Sequence, residues 1–572
     1  MAFDGFITKS VVSELKKSII GAKVNKVYEP TKNEVVLSLY NNGKNHNLNL
    51  CANPEFCRIC LTNYSKPNPQ NALNFCMLLR KYLVGGKIVN ISNYDLERTV
   101  EIQFECYNEL NDLVTRKLFI EIMSRQSNII LTNDKNIIID TLKHFDNNSR
   151  ELLPAHEYTF TPINKTSFLE IKSFEEFLEI MNSSGSIVSL TKFFIDTFIG
   201  FSKPFVKENL KLLSISDSEY SEDDLRKFYN YLKDLINNFG TQNIYCKKIS
   251  DKDYTLVFGE STEPDEEDLT HVNYFIDDFY YNKEQDSLFT NSRYSLLKIV
   301  SASLKIVYKK MENINTKLKE CEKMDTYRLY GELLTANLYK FTNSPNLSEV
   351  TVENYYDNNT PIVIPLDNSL NVNKNIEKYF KKYNKLKNAL SIVSEQKKET
   401  VKELDYIESI VFNLSTARNL NDINGVYEEL SQNVVTKKAI NKKEKNNIVK
   451  KQESNKIELE SVIIDGYTVY IGKNNMQNDY LSLRFANPND VWFHAQKIHG
   501  SHVLLRNSEN LELDEIPENV LFNCARLAKE NSKAENSLNV SVDYCLAKFV
   551  KKASGAKPGM VIYNNFKTII VK

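Results

Sequence analysis

In the middle third of the chain, apolar residues fall alternately three and four positions apart, at Leu297, Val300, Leu304, Val307, Met311, Ile314, Leu318 and Cys321. This is the a/d seam of a heptad repeat. A second run keeps the spacing through Ile376, Tyr379, Tyr383, Leu386, Leu390, Val393, Lys397, Thr400, Leu404, Ile407, Val411 and Leu414, broken only by the polar pair Lys397 and Thr400. Two such seams predict a long antiparallel coiled-coil hairpin over 286–435, because globular helices usually carry a wider apolar stripe and run shorter. At about 1.5 Å per residue, its second arm would extend on the order of 60 Å. Between the arms, Tyr355-Tyr356 and Ile362-Val363-Ile364-Pro365 break the helical period and predict a small β-rich head at 325–370.

Ahead of the hairpin the pattern changes. Val11, Val12, Leu15 and Ile19 share one face of a helix expected over 10–21, with Gly21 as its stop. Alternating Val35, Leu37 and Leu39, the turn Asn41-Asn42-Gly43, and further runs at Asn47–Cys51, Val100–Phe104, Leu118–Ile122, Asn128–Leu131 and Ile137–Ile139 read as strands. A second helix is expected near Ala72–Leu83. This makes an N-terminal α+β domain over 1–165. Residues 166–285 turn helical, and Phe198-Ile-Gly200-Phe-Ser-Lys203-Pro204 has the form of a helix-hairpin-helix turn whose amides could approach a phosphate, or of an ordinary interhelical turn. An acidic run, Glu260 to Asp268, reads as solvated surface. After the hairpin comes a linker at 436–457 carrying Lys437, Lys438, Lys442, Lys443, Lys445, Lys450 and Lys451. A C-terminal α+β domain is then expected at 458–572, with strands around Gly466, a helix at Glu518–Asn531 and closing strands in Val561–Val571.

Composition narrows the function classes. The 572 residues exceed one core, so several domains are expected, and 26% charged with 42% hydrophobic residues is a soluble composition. With 73 Lys+Arg against 74 Asp+Glu, a nucleic-acid partner must be met by a local patch. One exists: from Cys545 to Lys572 there is no acidic residue, while Lys548, Lys551, Lys552, Lys557, Lys567 and Lys572 supply positive charge. No apolar stretch approaches 18 residues and the chain does not open on a basic-then-apolar leader, so a cytoplasmic protein with no membrane partner is expected. The nine cysteines are odd in number and scattered, which fits reduced thiols. Cys57-Arg-Ile-Cys60 lacks the second ligand pair that zinc requires, so neither metal nor cofactor is expected.

The densest chemistry is Asp490-Val-Trp492-Phe-His494 followed by His499-Gly500-Ser501-His502, which holds the only Trp and three of the seven His. As metal ligands, Asp490, His494, His499 and His502 match no zinc spacing. As a hydrolase, Ser501 lacks a nucleophile elbow. As an RNA surface, Trp492 could stack on a base while His, Lys497 and Arg506 reach phosphates or base edges; Trp492 as a core residue is the competing assignment.

At this cluster the sequence resembles a known family. Gly472-Lys473-Asn474-Asn475-Met-Gln477-Asn478-Asp479, Asp490 to Ala495, Gly500-Ser501-His502, Val542-Asp543-Tyr544 and Lys551-Lys552 to Gly559 are similar to the RNA-binding domain of the NFACT family, in its bacterial type. Met1 to Gly5, Phe75 to Tyr82, Glu97-Arg98 and Glu121 to Asn128 look like its N-terminal domain. Tyr327-Arg328, Gly331-Glu332, Leu366-Asp367 and Tyr379 to Lys387 look like its coiled-coil region. The resemblance implies a multidomain α+β protein acting in ribosome-associated quality control. It would bind obstructed large ribosomal subunits carrying peptidyl-tRNA, contacting rRNA and the stalk base, and recruit alanyl-tRNA. It would direct template-free alanine tailing that marks the stalled chain for degradation. A small RNA-binding helper protein fits the same picture. The peptide bond would be made by the ribosome, so no catalytic residue is implied. The implied tRNA-binding set is Glu97, Arg98, Glu121, Ile122, Met123 and Arg125; the implied RNA-binding set is Asp490, Trp492, His494, His502, Lys551, Lys552 and Lys557. Glu97 stands where the family has Asp, and Ser124 and Gln126 where it commonly has Gly and His. Two alternatives remain. An older family label implies a fibronectin-binding surface adhesin, and the layout also resembles formamidopyrimidine DNA glycosylases, whose proline nucleophile is replaced here by Ala2.

Overall fold

The computed structural model describes residues 3–147, 150–161, 164–185, 187–259, 271–341, 347–432, 457 and 459–572. The acidic run at Glu260–Asp268 and the linker lysines Lys437 to Lys451 lie outside the described residues. The chain divides into two compact units, Met1–Ser287 and Leu288–Lys572, and the division falls inside one long helix, His271–Cys321.

The first unit is built on α1 (Gly5–Ile19), β1 (Lys23–Thr31), β2 (Glu34–Asn41), β3 (Lys44–Cys51), β4 (Arg58–Leu61), α2 (Asn74–Leu83), β5 (Lys87–Asn93), β6 (Thr99–Tyr107), β7 (Leu113–Glu121), β8 (Asn128–Asn133) and β9 (Ile138–Thr141). The strands form one nine-stranded antiparallel sheet in the order β4-β3-β2-β1-β5-β6-β7-β8-β9. Because side chains alternate across a strand, Val35, Leu37 and Leu39 of β2 point to one face and are buried in the same core as Phe6, Val11, Leu15 and Ile19 of α1. That helix starts five residues earlier than its apolar periodicity indicates. Asp4 caps it, accepting from the Ile7 N–H at 3.1 Å, and the helix-disfavouring Gly5 hides the start.

The helical part follows as α3 (Phe174–Ser183), α4 (Leu190–Thr197), α5 (Lys203–Leu212) and α6 (Glu222–Asn237), packed through a cluster of rings that includes Phe168, Phe177, Phe194, Phe198 and Phe201. Gly200, between α4 and α5, has φ +84°, and a β-carbon there would lie 2.5 Å from Leu96 Cβ. Its carbonyl accepts from the Gly5 N–H at 3.0 Å. The glycine therefore serves a close approach to α1 and Leu96, and Ser202, the N-cap of α5, accepts from the Phe205 N–H at 3.3 Å and donates to Asp4 Oδ2 at 2.6 Å.

In the second unit, α7 (His271–Cys321) and α9 (Val372–Thr416) run antiparallel. Arg293 donates to the Ser415 carbonyl (2.7 Å), Tyr308 to Glu408 (2.8 Å), and Lys310 pairs with Glu403 (3.0 Å), so partner numbers fall as the first arm's numbers rise. The seam residues Val300, Val307, Ile314, Cys321, Val393, Ile407 and Leu414 are buried. Lys397 turns to solvent, whereas Thr400 is fully buried and satisfies its hydroxyl on the Gln396 carbonyl at 2.7 Å. The head comprises α8 (Met324–Ala336) and the hairpin Glu349–Asn354/Thr360–Pro365, closed by a hydrogen bond from the Tyr379 hydroxyl to the Pro365 carbonyl. Helix α10 (Leu420–Gln432) adds Ile423, Val426 and Leu430 to the cluster at the other end of the arms. The C-terminal region is a six-stranded sheet with helix Glu518–Glu530 covering one face through Val520, Cys524 and Ala528; the opposite face carries Trp492, Leu504 and Cys545. Among the described residues, no helix is long and apolar enough to cross a membrane.

Candidate nucleic-acid interface

The N-terminal candidate set lies where the β5–β6 turn meets the end of β7. The turn is tight enough to hold Asp95 at φ +50°. Arg98 follows it, half-buried, with its carbonyl accepting from the Ile122 N–H at 2.9 Å. Glu97 goes the other way: it is 7% exposed, its Oε2 is buried without a hydrogen-bond partner, and burial, with Asp95 and Glu121 nearby, raises its pKa above the usual carboxylate value.

Glu121 is 1% exposed and accepts two hydrogen bonds from Arg150 (2.6 and 3.0 Å) and one from the Tyr158 hydroxyl (2.9 Å). Ile122 is fully buried. These two side chains fill the interior, so the contacts expected of them have no surface to work from; the strand alternation that buries them is visible in the sequence, but the half-buried Arg150 partner is not. Met123 is half-buried, its sulfur accepting from Thr161 Oγ1 at 3.7 Å. Arg125 is exposed on a single turn of 3₁₀ helix, Ser124–Gln126. Ser124 there has φ +54°, a left-handed conformation that favours glycine. Sequence reasoning missed Asp4 as a member of this cluster. It is buried, its carboxyl is pushed up to about 6 by burial, and Ser202, the Ile7 amide and Arg98 oppose that shift.

The C-terminal set separates into an interior group and a surface group. Trp492 is 0% exposed, with its Nε1–H donated to Ser482 Oγ at 2.9 Å. It is a core residue and presents no face for a base to stack on. Ser482 Oγ also lies 2.7 Å from His502 Nδ1, and His502 is buried. Burial pushes the His494 imidazole down to about 4 and the His502 imidazole well below its ordinary value, so both rings are neutral near pH 7. Asp490, fully buried, organises a loop by accepting from the Asn487 and Asn507 amides (2.7 and 3.0 Å) and from Arg506 (2.7 Å). Lys551, Lys552 and Lys557 are exposed. They sit on the segment ending at Gly559, which Asp479 ties down through an ion pair with Lys552 and by accepting the Gly559 N–H at 2.9 Å. Gly559 has φ +79°, and a β-carbon there would meet Asn475 Oδ1 at 2.5 Å. Asn475 in turn donates to Ser409 and Glu429 of the hairpin base, both at 2.9 Å. The motif around Asn475 is thus a joint within this unit, and the lysine segment is its outward product.

Among the described residues, the one group of His, Cys, Asp or Glu atoms close enough for a metal is Glu34, Cys51 and Glu284. Arg58 and Lys66 already neutralise its two carboxylates.

Residues 4–448 match the NFACT N-terminal and middle domains, and residues 461–565 match the NFACT protein RNA binding domain. A protein of Bacillus subtilis (strain 168) named Rqc2 homolog RqcH is 34% identical over 583 residues, spanning 100% of this chain and 98% of the relative. A protein of the same name from Streptococcus pneumoniae is 31% identical over 581 residues, again with 100% and 98% covered. Among solved structures, the N-terminal part of the fibronectin/fibrinogen-binding protein from Streptococcus suis aligns at TM-score 0.40 and 28% identity, covering 49% of this chain and 99% of that one.

Proposed function

The chain belongs to the NFACT family, and on that premise we propose that it is a ribosome-associated quality-control factor. It binds obstructed large ribosomal subunits carrying peptidyl-tRNA, recruits alanyl-tRNA and directs template-free alanine tailing of the stalled chain. The observation that carries this reading is likeness to Rqc2 homolog RqcH along the whole chain rather than over one domain. On this reading the ribosome makes the peptide bond, and the chain contributes positioning by charge and shape. Arg98 and Arg125 are the cations of the N-terminal set with surface to offer, and Lys551, Lys552 and Lys557 those of the C-terminal set. Arginine suits the first role, since its planar fork can hold a phosphate or a base edge at two points.

The test is to isolate the protein from cells with its bound RNA and compare wild type with Arg98→Ala. Recovery of large-subunit rRNA with one tRNA species, and loss of the tRNA alone in the variant, is the expected result. Recovery of no ribosomal RNA by the wild-type protein would overturn the reading.

A further inference from the structure

The outer face of β1–β3 carries a cleft of about 300 Å³ that the RNA-facing sets do not touch. It is floored by the sheet and walled by the segment after β4 and the first turns of α7, all within the first unit. Its chemistry is unusual for a sheet face. Ser38 and Asn47 stand opposite each other in register on β2 and β3, with Asn49 next on the same face, although asparagine is disfavoured in strands.

Half-buried Tyr28 and Ser38 and exposed Asn47 line the cleft with side chains that, among the described residues, make no hydrogen bond to the chain and so are available to an occupant; the feature that points to a ligand is the next residue on that face. Asn49, 2% exposed, also lines it and has a buried Oδ1 without a partner; its orientation is fixed because Nδ2 donates to Glu34 at 2.9 Å. The charged groups, by contrast, are spoken for. Arg58 and Lys66 pair with Glu34 and Glu284, and Asp277 accepts the Asn63 N–H at 2.9 Å. Three carboxylates against two cations leave the site at −1, which disfavours a phosphate. Tyr64 and Tyr281, stacked with ring centroids 3.6 Å apart, form an aromatic wall.

We propose that this cleft binds a neutral, planar, hydrogen-bonding ligand of the nucleobase class, read by the Asn47 amide with Ser38 and Tyr28, with any attached phosphate left outside. An amide presents a donor and an acceptor side by side, the complement of a base edge. The proposal does not rest on the ribosomal reading.

The experiment is saturation-transfer NMR on the full chain with adenosine, guanosine, cytidine, uridine and their 5′-monophosphates, and with glucose as a neutral polar control. The expected result is saturable binding of at least one nucleoside, changed by no more than about twofold by a 5′-phosphate, and absent for glucose. The Ser38→Val/Asn47→Leu variant should weaken it by roughly tenfold or more. Tyr28→Phe, which removes one hydroxyl, serves as the second variant should the double substitution perturb folding. No saturable nucleoside binding, equal binding of glucose, tighter binding with the phosphate, or full affinity in both variants would overturn the proposal.

Discussion

Replacing Glu121 by alanine separates a folding role from an RNA-contacting one. The carboxylate is 1% exposed and holds Arg150, itself 13% exposed at the side chain, through hydrogen bonds of 2.6 and 3.0 Å, with Tyr158 adding a third at 2.9 Å. Removing one partner of a buried ion pair costs about 3–5 kcal/mol, because the other charge stays behind in a poor dielectric. The lower end applies here, since Arg150 keeps the Thr159 carbonyl and Thr161 hydroxyl as acceptors. At about 2–4 °C per kcal/mol for a unit of this size, a loss of about 3 kcal/mol lowers the melting temperature by roughly 6–12 °C. Glu121→Gln keeps one acceptor oxygen, able to serve Tyr158 and one Arg150 nitrogen, but loses the charge and sets an NH2 against the other Arg150 nitrogen; it should lose roughly half as much. Thermal unfolding by far-UV circular dichroism measures this, with tRNA binding assayed well below both transitions. An alanine variant that melts with the wild type yet loses tRNA binding would refute the interior role derived from the geometry.

Half-buried His494 and buried His502 set a pH dependence. His494 is neutral in the fold with its pKa pushed down to about 4 by burial, against 6.5 when unfolded. The unfolded chain therefore binds the extra proton between pH 6.5 and 4. The associated stability is complete above pH 6.5 and is lost as pH falls through that window, by about 3 kcal/mol at its lower end. Urea unfolding of the second unit's transition at pH 7, 5.5 and 4.5 in wild type and His494→Gln isolates this contribution: the stability difference between the two should shrink as pH falls, while His502 and the oppositely signed Glu429, whose carboxyl burial pushes up to about 7, act alike in both proteins. Trp492→Ala should destabilise by about 3–5 kcal/mol, as for a fully buried aromatic, with a lowered urea midpoint as the readout; a wild-type midpoint would contradict the core assignment. Lys551→Ala should reduce the slope of log affinity against log salt for RNA by roughly 0.7–0.9 without moving the melting temperature. Lys552→Ala should reduce the slope by less, because Asp479 already offsets its charge, and should also leave the melting temperature nearly unchanged, since Asp479 keeps the Gly559 amide through its other oxygen.

Much of the architecture was legible because periodicity is local. The seam from Leu297 to Leu414 dictates two long arms whatever surrounds them, and the alternation of Val35, Leu37 and Leu39 dictates a half-buried strand. What periodicity cannot carry is pairing at long range. Nothing near Glu121 announces Arg150, and nothing near Asp4 announces Ser202, 198 positions away. Gly200 was visible as a turn, but its reason, the approach of Leu96 and Gly5, was not. Trp492 misled because its amphipathic ring suits a base-stacking surface and a core alike; only the sheet register, which sets it on the face with Leu504 and Cys545, decides between them.

The lysine run from Cys545 to Lys572 shows the same limit applied to charge. No acidic residue falls within it, so the sequence reads as uninterrupted positive potential. In the fold, carboxylates arrive from elsewhere: Asp479 pairs with Lys552, and Asp514 with Lys567. These exposed pairs contribute little to stability, but they subtract from the field that phosphates would meet. They also do something a bare patch cannot, since Asp479 spends its second oxygen on the Gly559 amide and so fixes the segment that carries Lys551 and Lys557. A chain with a formal charge of −1 cannot rely on bulk attraction to nucleic acid. It has to place a few cations on a shaped loop, and here an acid within the neighbourhood of the patch is what gives the loop its shape.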